Sequence, residues 1–359
     1  MKRTIIYPVI IILAIFASSC EGFLDQNPST SLPSNEAIKS VTDLRNALNG
    51  AYSRLIALDG NGHSYYAGDF ICLGDLRSND MTYILNANAI SPVARLDYGK
   101  NSGFAESFWL TPYTVLGRIN DILSVVEDIK VESGEEVLYE DLIGQLYGLR
   151  GLMHFELART FCQLPTALHS GMTMTTPDGG IPLADRKFDV TYKPVRSTLK
   201  ETYDLIVADL DTAITHLDPE PQKADTYGSI NLYATLAIKS RVLLYLGEYQ
   251  KSLAAAEEVI NNAGSAGYRL SYIGDYAVMW SGVTQNEYLF ELITNLLYNS
   301  QRNSIGYYST PNGYGEFGCT DTFANWIKFN PDDRRGSLVV EKVNVNGAGR
   351  GFYPDKYPG

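Results

Sequence analysis

The stretch from Tyr139 to Pro165, YEDLIGQLYGLRGLMHFELARTFCQLP, constrains the fold more than any other part of the chain. Leu142, Leu146, Leu149, Met153, Leu157, Phe161 and Leu164 recur in strides of three and four, which makes one continuous helical stripe. Ile143, Tyr147, Phe155, Ala158 and Cys162 form a second stripe. A helix that is apolar on two sides is buried between neighbours. Gly144, Gly148 and Gly151 also recur at helical spacing, although each Gly costs about 1 kcal/mol against Ala in a helix interior. Three such costs on one helix predict that another helix packs very close to it. Pro165 ends the run, as Pro does just past a helix. The stretch therefore predicts a core helix of an all-α (mainly α) protein, with no chemistry of its own.

A chain of 359 residues with 45% hydrophobic content can bury a sizeable core. A net charge of −12 argues against nucleic acid as a partner, because phosphate binding needs clustered Lys and Arg. The N-terminus reads as a targeting segment, residues 1–19. Lys2 and Arg3 precede an apolar run from Ile5 to Phe16, too short for a membrane span, and Ala17-Ser18-Ser19 lead to Cys20. That ending predicts cleavage before Cys20 and lipidation there. An ordinary signal peptide with an incidental Cys is the alternative. Cys72, Cys162 and Cys319 remain, an odd number with no CxxC or His pairing, which argues against a disulfide framework or a zinc site. Cys162 sits on an apolar stripe and reads as a core thiol.

Residues 20–33 are polar and contain Pro28 and Pro33, as in a tether. From residue 34 a single domain is expected, mostly helical over 34–263 and irregular over 264–359. Gly50-Ala51-Tyr52 closes a first helical pattern, and Trp109, Tyr113, Leu116 and Ile119 open another, with Trp109 read as core. Thr198-x-x-Glu201 is a capping box that begins a helix with the stripe Leu199, Tyr203, Ile206, Leu210, Ile214 and Leu217. Residues 230–263 read as a helix pair turned at Leu246-Gly247-Glu248-Tyr249, similar to a tetratricopeptide hairpin that needs stacked neighbours. Further on, Glu287 to Leu292 reads as a strand and Asp321 to Trp326 as a short helix. Leu338 to Val345 with Phe352 reads as a hairpin turned at Asn346-Gly347. Between these lie two irregular segments, 60–104 and 295–318, long for loops in a compact domain.

Several of these elements, in this order, resemble the SusD/RagB family of outer-membrane nutrient-binding lipoproteins. They are the lipid-type Cys20 followed by Phe23-Leu24-Asp25, and Gly50-Ala51-Tyr52-x-x-Leu55. They continue with Leu149-Arg150-Gly151, His154-Phe155-Glu156-Leu157-Ala158-Arg159 and Leu164-Pro165, Arg196 to Leu210, Glu287 to Glu291, and Asp332-Asp333-Arg334. Cys162-Gln163 stands where the family has an aromatic residue and glycine. The resemblance implies a superhelix of tetratricopeptide-like helical pairs, with an irregular part bearing ligand loops and a few short strands. It implies a lipid-anchored, cell-surface protein of the outer membrane that binds an oligosaccharide or other nutrient. It also implies a SusC-like TonB-dependent transporter as partner, no cofactor and no catalysed reaction. Lys356-Tyr357 matches the family's wording before its last helices, so a fragment or truncated chain is expected.

No GxSxG, P-loop, HExxH or Rossmann fingerprint is present, and His63, His154, His169 and His216 have no metal-ligand spacing. A tetratricopeptide-type adaptor for a protein partner and a lipid-anchored glycosidase, whose carboxylates can lie far apart in sequence, are the rival readings. The 25 tyrosines carry the ligand expectation, because sugars stack C–H faces on rings and hydrogen-bond to hydroxyls. Tyr65, Tyr66, Tyr83, Tyr298, Tyr307, Tyr308 and Tyr314 are the candidate stacking residues, against the alternative that they pack loops onto the helical body. Asn79, Asp80 and Arg95 are the candidate polar contacts. The two irregular segments are expected to meet at that face.

Overall fold

The computed structural model describes residues 34–57, 62–85, 90–97, 99, 103–226, 228–281, 286–295, 297, 299–343 and 350–357. The signal segment, the tether, Cys20 and Tyr298 lie outside the described residues. Along the chain come α1 (Val41–Arg54), α2 (Phe70–Leu76), α3 (Gly103–Leu123), α4 (Glu136–Phe161), α5 (Leu199–His216), α6 (Leu232–Tyr245), α7 (Tyr249–Asn262), α8 (Ile305–Ser309) and α9 (Asp321–Phe329). The doubly apolar stretch is α4, and its side chains from Leu142 to Ala158 are almost all buried. It packs on α1, α3 and α5.

The glycines account for the closeness of that packing. A Cβ added at Gly144 would sit 2.7 Å from Leu217 Cγ; at Gly148, 2.9 Å from Ile230 Cγ2; at Gly151, 3.1 Å from Leu210 Cγ. Leu210 lies on α5 and Leu217 directly follows it, so helix propensity is given up for approach of the two helices. Past the end of α4, Arg196 Nη2 donates to the Phe161 carbonyl at 3.1 Å, placing a cation on a helix C-terminus. Its guanidinium also lies beside the half-buried Cys162 thiol, at 3.8 Å.

The predicted cap at Thr198 forms, and a second capping box, not singled out from the sequence, opens α1. The Ser40 and Asp43 side chains reciprocally bind the first-turn backbone of α1, and those of Thr198 and Glu201 do the same for α5. Tyr52 of the Gly50-Ala51-Tyr52 run is buried, donates to Gln145 Oε1 on α4 at 3.1 Å and accepts the Ile230 N–H at 3.1 Å. One hydroxyl thus links three parts of the helical body. The α6–α7 pair turns at Gly247, whose φ is +76°, and is locked by reciprocal bonds of 2.8 Å between Ser240 and Ser252. The protein is a mainly α superhelix of tetratricopeptide-like pairs, as expected.

The strands β1 (Met81–Tyr83), β2 (Phe317–Cys319), β3 (Val339–Val343) and β4 (Arg350–Pro354) form one antiparallel sheet in the order β1-β2-β4-β3. The expected hairpin is β3–β4; its Asn346-Gly347 turn lies outside the described residues. The expected strand from Glu287 to Leu292 does not form. Side chains take its carbonyls: Lys223 Nζ binds Tyr288 O at 3.0 Å, and Asn231 Nδ2 binds Leu289 O at 2.8 Å. No helix among the described residues is long and apolar enough to cross a membrane.

Candidate functional site

The two irregular segments pack against each other beside the helical body. β1, from the first, pairs with β2, at the end of the second, with Met81 opposite Cys319 and Tyr83 opposite Phe317. The buried Glu316 carboxylate receives the backbone N–H groups of Ile90 at 3.0 Å and Ser91 at 2.9 Å. Tyr308 donates to Asp69 Oδ1 at 3.0 Å, and the Ser64 and Ser300 hydroxyls meet at 2.8 Å. Buried polar groups require such partners, and here each segment supplies them to the other.

This packing sorts the candidate residues. Tyr65 is 3% exposed, stacked on Phe70 at 4.2 Å, and Tyr308 is 2% exposed. Neither ring offers a free face, so both are packing residues, a correction to the sequence expectation. Tyr314 is half-buried between Tyr307 (4.9 Å, edge-on) and Tyr308 (6.1 Å). Tyr83 carries the Arg95 guanidinium 5.6 Å from its ring centre, and Arg95 lies 3.8 Å from Asp97. Tyr66 is half-buried on a separate cleft between α4 and α6.

Asn79 and Asp80 are exposed and stand together at a different feature. Their carbonyls bind Thr320, which caps α9: Asn79 O accepts the Thr320 hydroxyl and Asp80 O its N–H, both at 2.9 Å. Beside them opens a hollow of about 180 Å³, lined by Asp75, Asp80, Phe323, Arg335, Lys356 and Tyr357 among others. Trp326 stands near it, 63% exposed, with Phe323 at 6.3 Å and the Arg335 guanidinium 5.8 Å from its ring centre. Asp333 holds that guanidinium with contacts of 2.7, 3.0 and 3.2 Å. Lys356 lies 4.6 Å from the centre of the Trp280 ring. Burial raises the Asp75 carboxyl above its ordinary value and lowers the Lys356 ammonium, while their mutual attraction opposes both shifts. Burial also pushes the Cys319 thiol up to about 11, so it lines the hollow as an unreactive thiol.

The arrangement combines an exposed indole with carboxylates and cations of balanced charge around a small hollow. It can stack a ring and exchange hydrogen bonds with hydroxyls. Trp326, Phe323, Arg335 and Lys356 were not singled out from the sequence. A signal was present in α9: Ala324 and Ile327 are buried, and position 326 lies about 200° around the helix from 324, on the outward face. A large aromatic there has no core to fill.

The profile of a family described as SusD-like, starch-binding and associating with the outer membrane matches residues 22–244. Two SusD-like proteins of Formosa agariphila are each 24% identical to the chain. One match runs over 312 residues, 86% of this chain and 55% of that protein. The other runs over 263 residues, 72% of this chain and 45% of that protein. The chain spans about half the length of the curated relatives it matches. Among solved structures, a SusD superfamily protein of Bacteroides vulgatus aligns with a TM-score of 0.77 at 27% identity, covering 89% of this chain and 69% of that one. One from Bacteroides thetaiotaomicron aligns with a TM-score of 0.75 at 27% identity, covering 89% and 70%.

Proposed function

Because the chain belongs to the SusD-like family, whose members are carbohydrate-binding proteins associated with the outer membrane and not enzymes, we propose that it binds an oligosaccharide at the Trp326 hollow. The observation that carries this reading is the 63% exposure of Trp326 next to a hollow with both charge signs. Burying an indole face against a sugar gains apolar contact and adds roughly 0.5–1.5 kcal/mol for favourable ring geometry. Asp80, Asp75, Arg335 and Lys356 supply donors and acceptors to hydroxyls without a net charge. That balance favours a neutral glycan.

The protein is held at the outer membrane by lipid on Cys20 and passes the bound glycan to a SusC-like TonB-dependent transporter. The family supports this placement, as does the lipoprotein-type ending of the signal segment. A protein-binding adaptor and a glycosidase are set aside in its favour. The test is a glycan array on the chain from residue 21 onward, followed by calorimetric titration with the ligands it identifies, malto-oligosaccharides included. Trp326→Ala is expected to weaken binding about tenfold or more while leaving the melting temperature nearly unchanged. Binding to no glycan, or binding indifferent to Trp326, sinks the reading. Cys20→Ala is expected to move the full-length protein from the membrane to the soluble fraction.

A further inference from the structure

A second cleft, of about 620 Å³, opens between α4, α6 and residues 287–294, away from the sheet. Its size is that of a small-ligand pocket. Leu152, Ala237, Ile238 and Leu292 give it apolar walls, and Tyr288 and Phe290 line one side with rings. Two arginines enter it, Arg159 from the last turn of α4 and Arg241 from α6.

The state of those arginines sets the ligand chemistry. Glu156 is 2% exposed and is taken up by the Nε of Arg159 and by the Tyr66 hydroxyl. That pairing satisfies the buried carboxylate and fixes Arg159, whose guanidinium also lies 5.0 Å from the centre of the Phe70 ring. The terminal nitrogens of Arg159 make no hydrogen bond among the described residues. Arg241 is exposed and has no hydrogen-bond or ion-pair partner among them. The other carboxylate of the cleft, Glu287, is turned onto the Ser271 N–H at 2.7 Å. Two guanidinium groups with open donors thus share one hollow with aromatic faces.

Planar guanidinium forks match oxyanions bidentately. The net charge of −12 repels an anion, but only within about 8 Å at physiological salt, so capture depends on contacts inside the cleft. We propose that this cleft is a second saccharide site, selective for sugars bearing an oxyanion, a carboxylate or a sulfate ester, with Arg241 and Arg159 on the anion and Tyr288 and Phe290 against the ring. This goes beyond the neutral-glycan reading of the Trp326 hollow and does not need it.

The chain from residue 21 onward is titrated with three trisaccharides of equal length: one of galacturonic acid, one of sulfated galactose and one of neutral galactose. At least one acidic probe is expected to bind at least about tenfold more tightly than the neutral one. The tighter of the two names the oxyanion. Arg241→Gln, at an exposed position, is expected to remove most of that difference with an unchanged melting temperature. Phe290→Ala is expected to weaken the same probe, and Trp326→Ala to leave it unaffected. The proposal is overturned if all three probes bind alike, if Arg241→Gln changes nothing, or if Trp326→Ala abolishes acidic-probe binding. Neutral-glycan binding that ignores Trp326 would defeat the other reading and leave this one standing.

Discussion

Arg150 on α4 and Asp209 on α5 form a buried bidentate pair, Nε to Oδ2 at 2.9 Å and Nη2 to Oδ1 at 2.6 Å. Arg150 Nη1 continues to the Asp185 carbonyl at 2.8 Å and Asn120 Oδ1 at 3.2 Å. One guanidinium therefore joins two helices to a third and to the loop between α4 and α5. Burial raises the Asp209 carboxyl and the Arg150 partner opposes that shift, so the pair is held by its geometry.

Removing one member leaves the other charge buried alone. Arg150→Ala is expected to cost about 3–5 kcal/mol, while the double change Arg150→Met, Asp209→Leu recovers most of it. Urea unfolding of the parent and the two variants decides this. A single variant as stable as the parent would show that the pair is not what joins the helices.

His154, one turn along α4, predicts a pH dependence. Its Nδ1–H donates to the Arg150 carbonyl at 3.0 Å, and its Nε2 accepts the Ala184 N–H at 3.1 Å, so only the neutral ring satisfies both. Burial holds its pKa down at about 3. The unfolded ring titrates near 6.5, so the unfolded chain binds the proton first as pH falls. Stability from the neutral ring is complete above about pH 6.5 and is lost towards pH 3, at up to about 1.4 kcal/mol per pH unit. His154→Gln keeps a donor and an acceptor but does not titrate. Its unfolding midpoint is expected to fall less steeply between pH 6.5 and 4 than the parent's. Parallel profiles would rule out His154 as the cause.

The helical glycines predict a graded series. At Gly144 a new Cβ meets the Leu217 backbone nitrogen at 2.8 Å as well as its side chain, and backbone cannot step aside. At Gly151 the nearest atom is Leu210 Cγ at 3.1 Å, which can shift slightly. Gly144→Ala is expected to destabilise by about 1–3 kcal/mol. Gly151→Ala is expected to be near neutral, because helix propensity returns about 1 kcal/mol. Thermal melts that reverse this order would contradict the packing.

The helical body was legible because its signals are local. Stripes, the Thr198–Glu201 capping box and the spacing of Gly144, Gly148 and Gly151 each lie within one or two turns. Contacts made across sequence were not legible. Glu287 to Leu292 has a strand's composition, but Lys223 and Asn231, distant in sequence, take its carbonyls. Tyr65 and Tyr308 looked like surface aromatics because their loops are polar, yet both rings are buried, Tyr65 against Phe70 and Phe108 and Tyr308 beside Asp69. Trp326 followed the opposite course. It sat in a short helix expected only as structure, and its exposure depends on which face of α9 meets the sheet. Asn79 and Asp80, expected at the tyrosine face, stand beside that helix through contacts made only in space, to Thr320.

Glu316 provides the test of whether the sheet and its loops hold together as a unit. It is fully buried, and both oxygens serve backbone N–H groups, at Ile90 and Ser91. Glu316→Ala takes the carboxylate acceptor away from two buried N–H groups, and a buried donor left unsatisfied costs about 1–3 kcal/mol. Glu316→Gln retains one acceptor and is expected to fall between parent and Ala. The effect should be local, because none of these bonds touches α4 to α7. Hydrogen exchange is expected to show lost protection in β1, β2 and residues 90–97, with the helical pairs still protected. Uniform loss over the whole chain would mean that the sheet and the helices open as one.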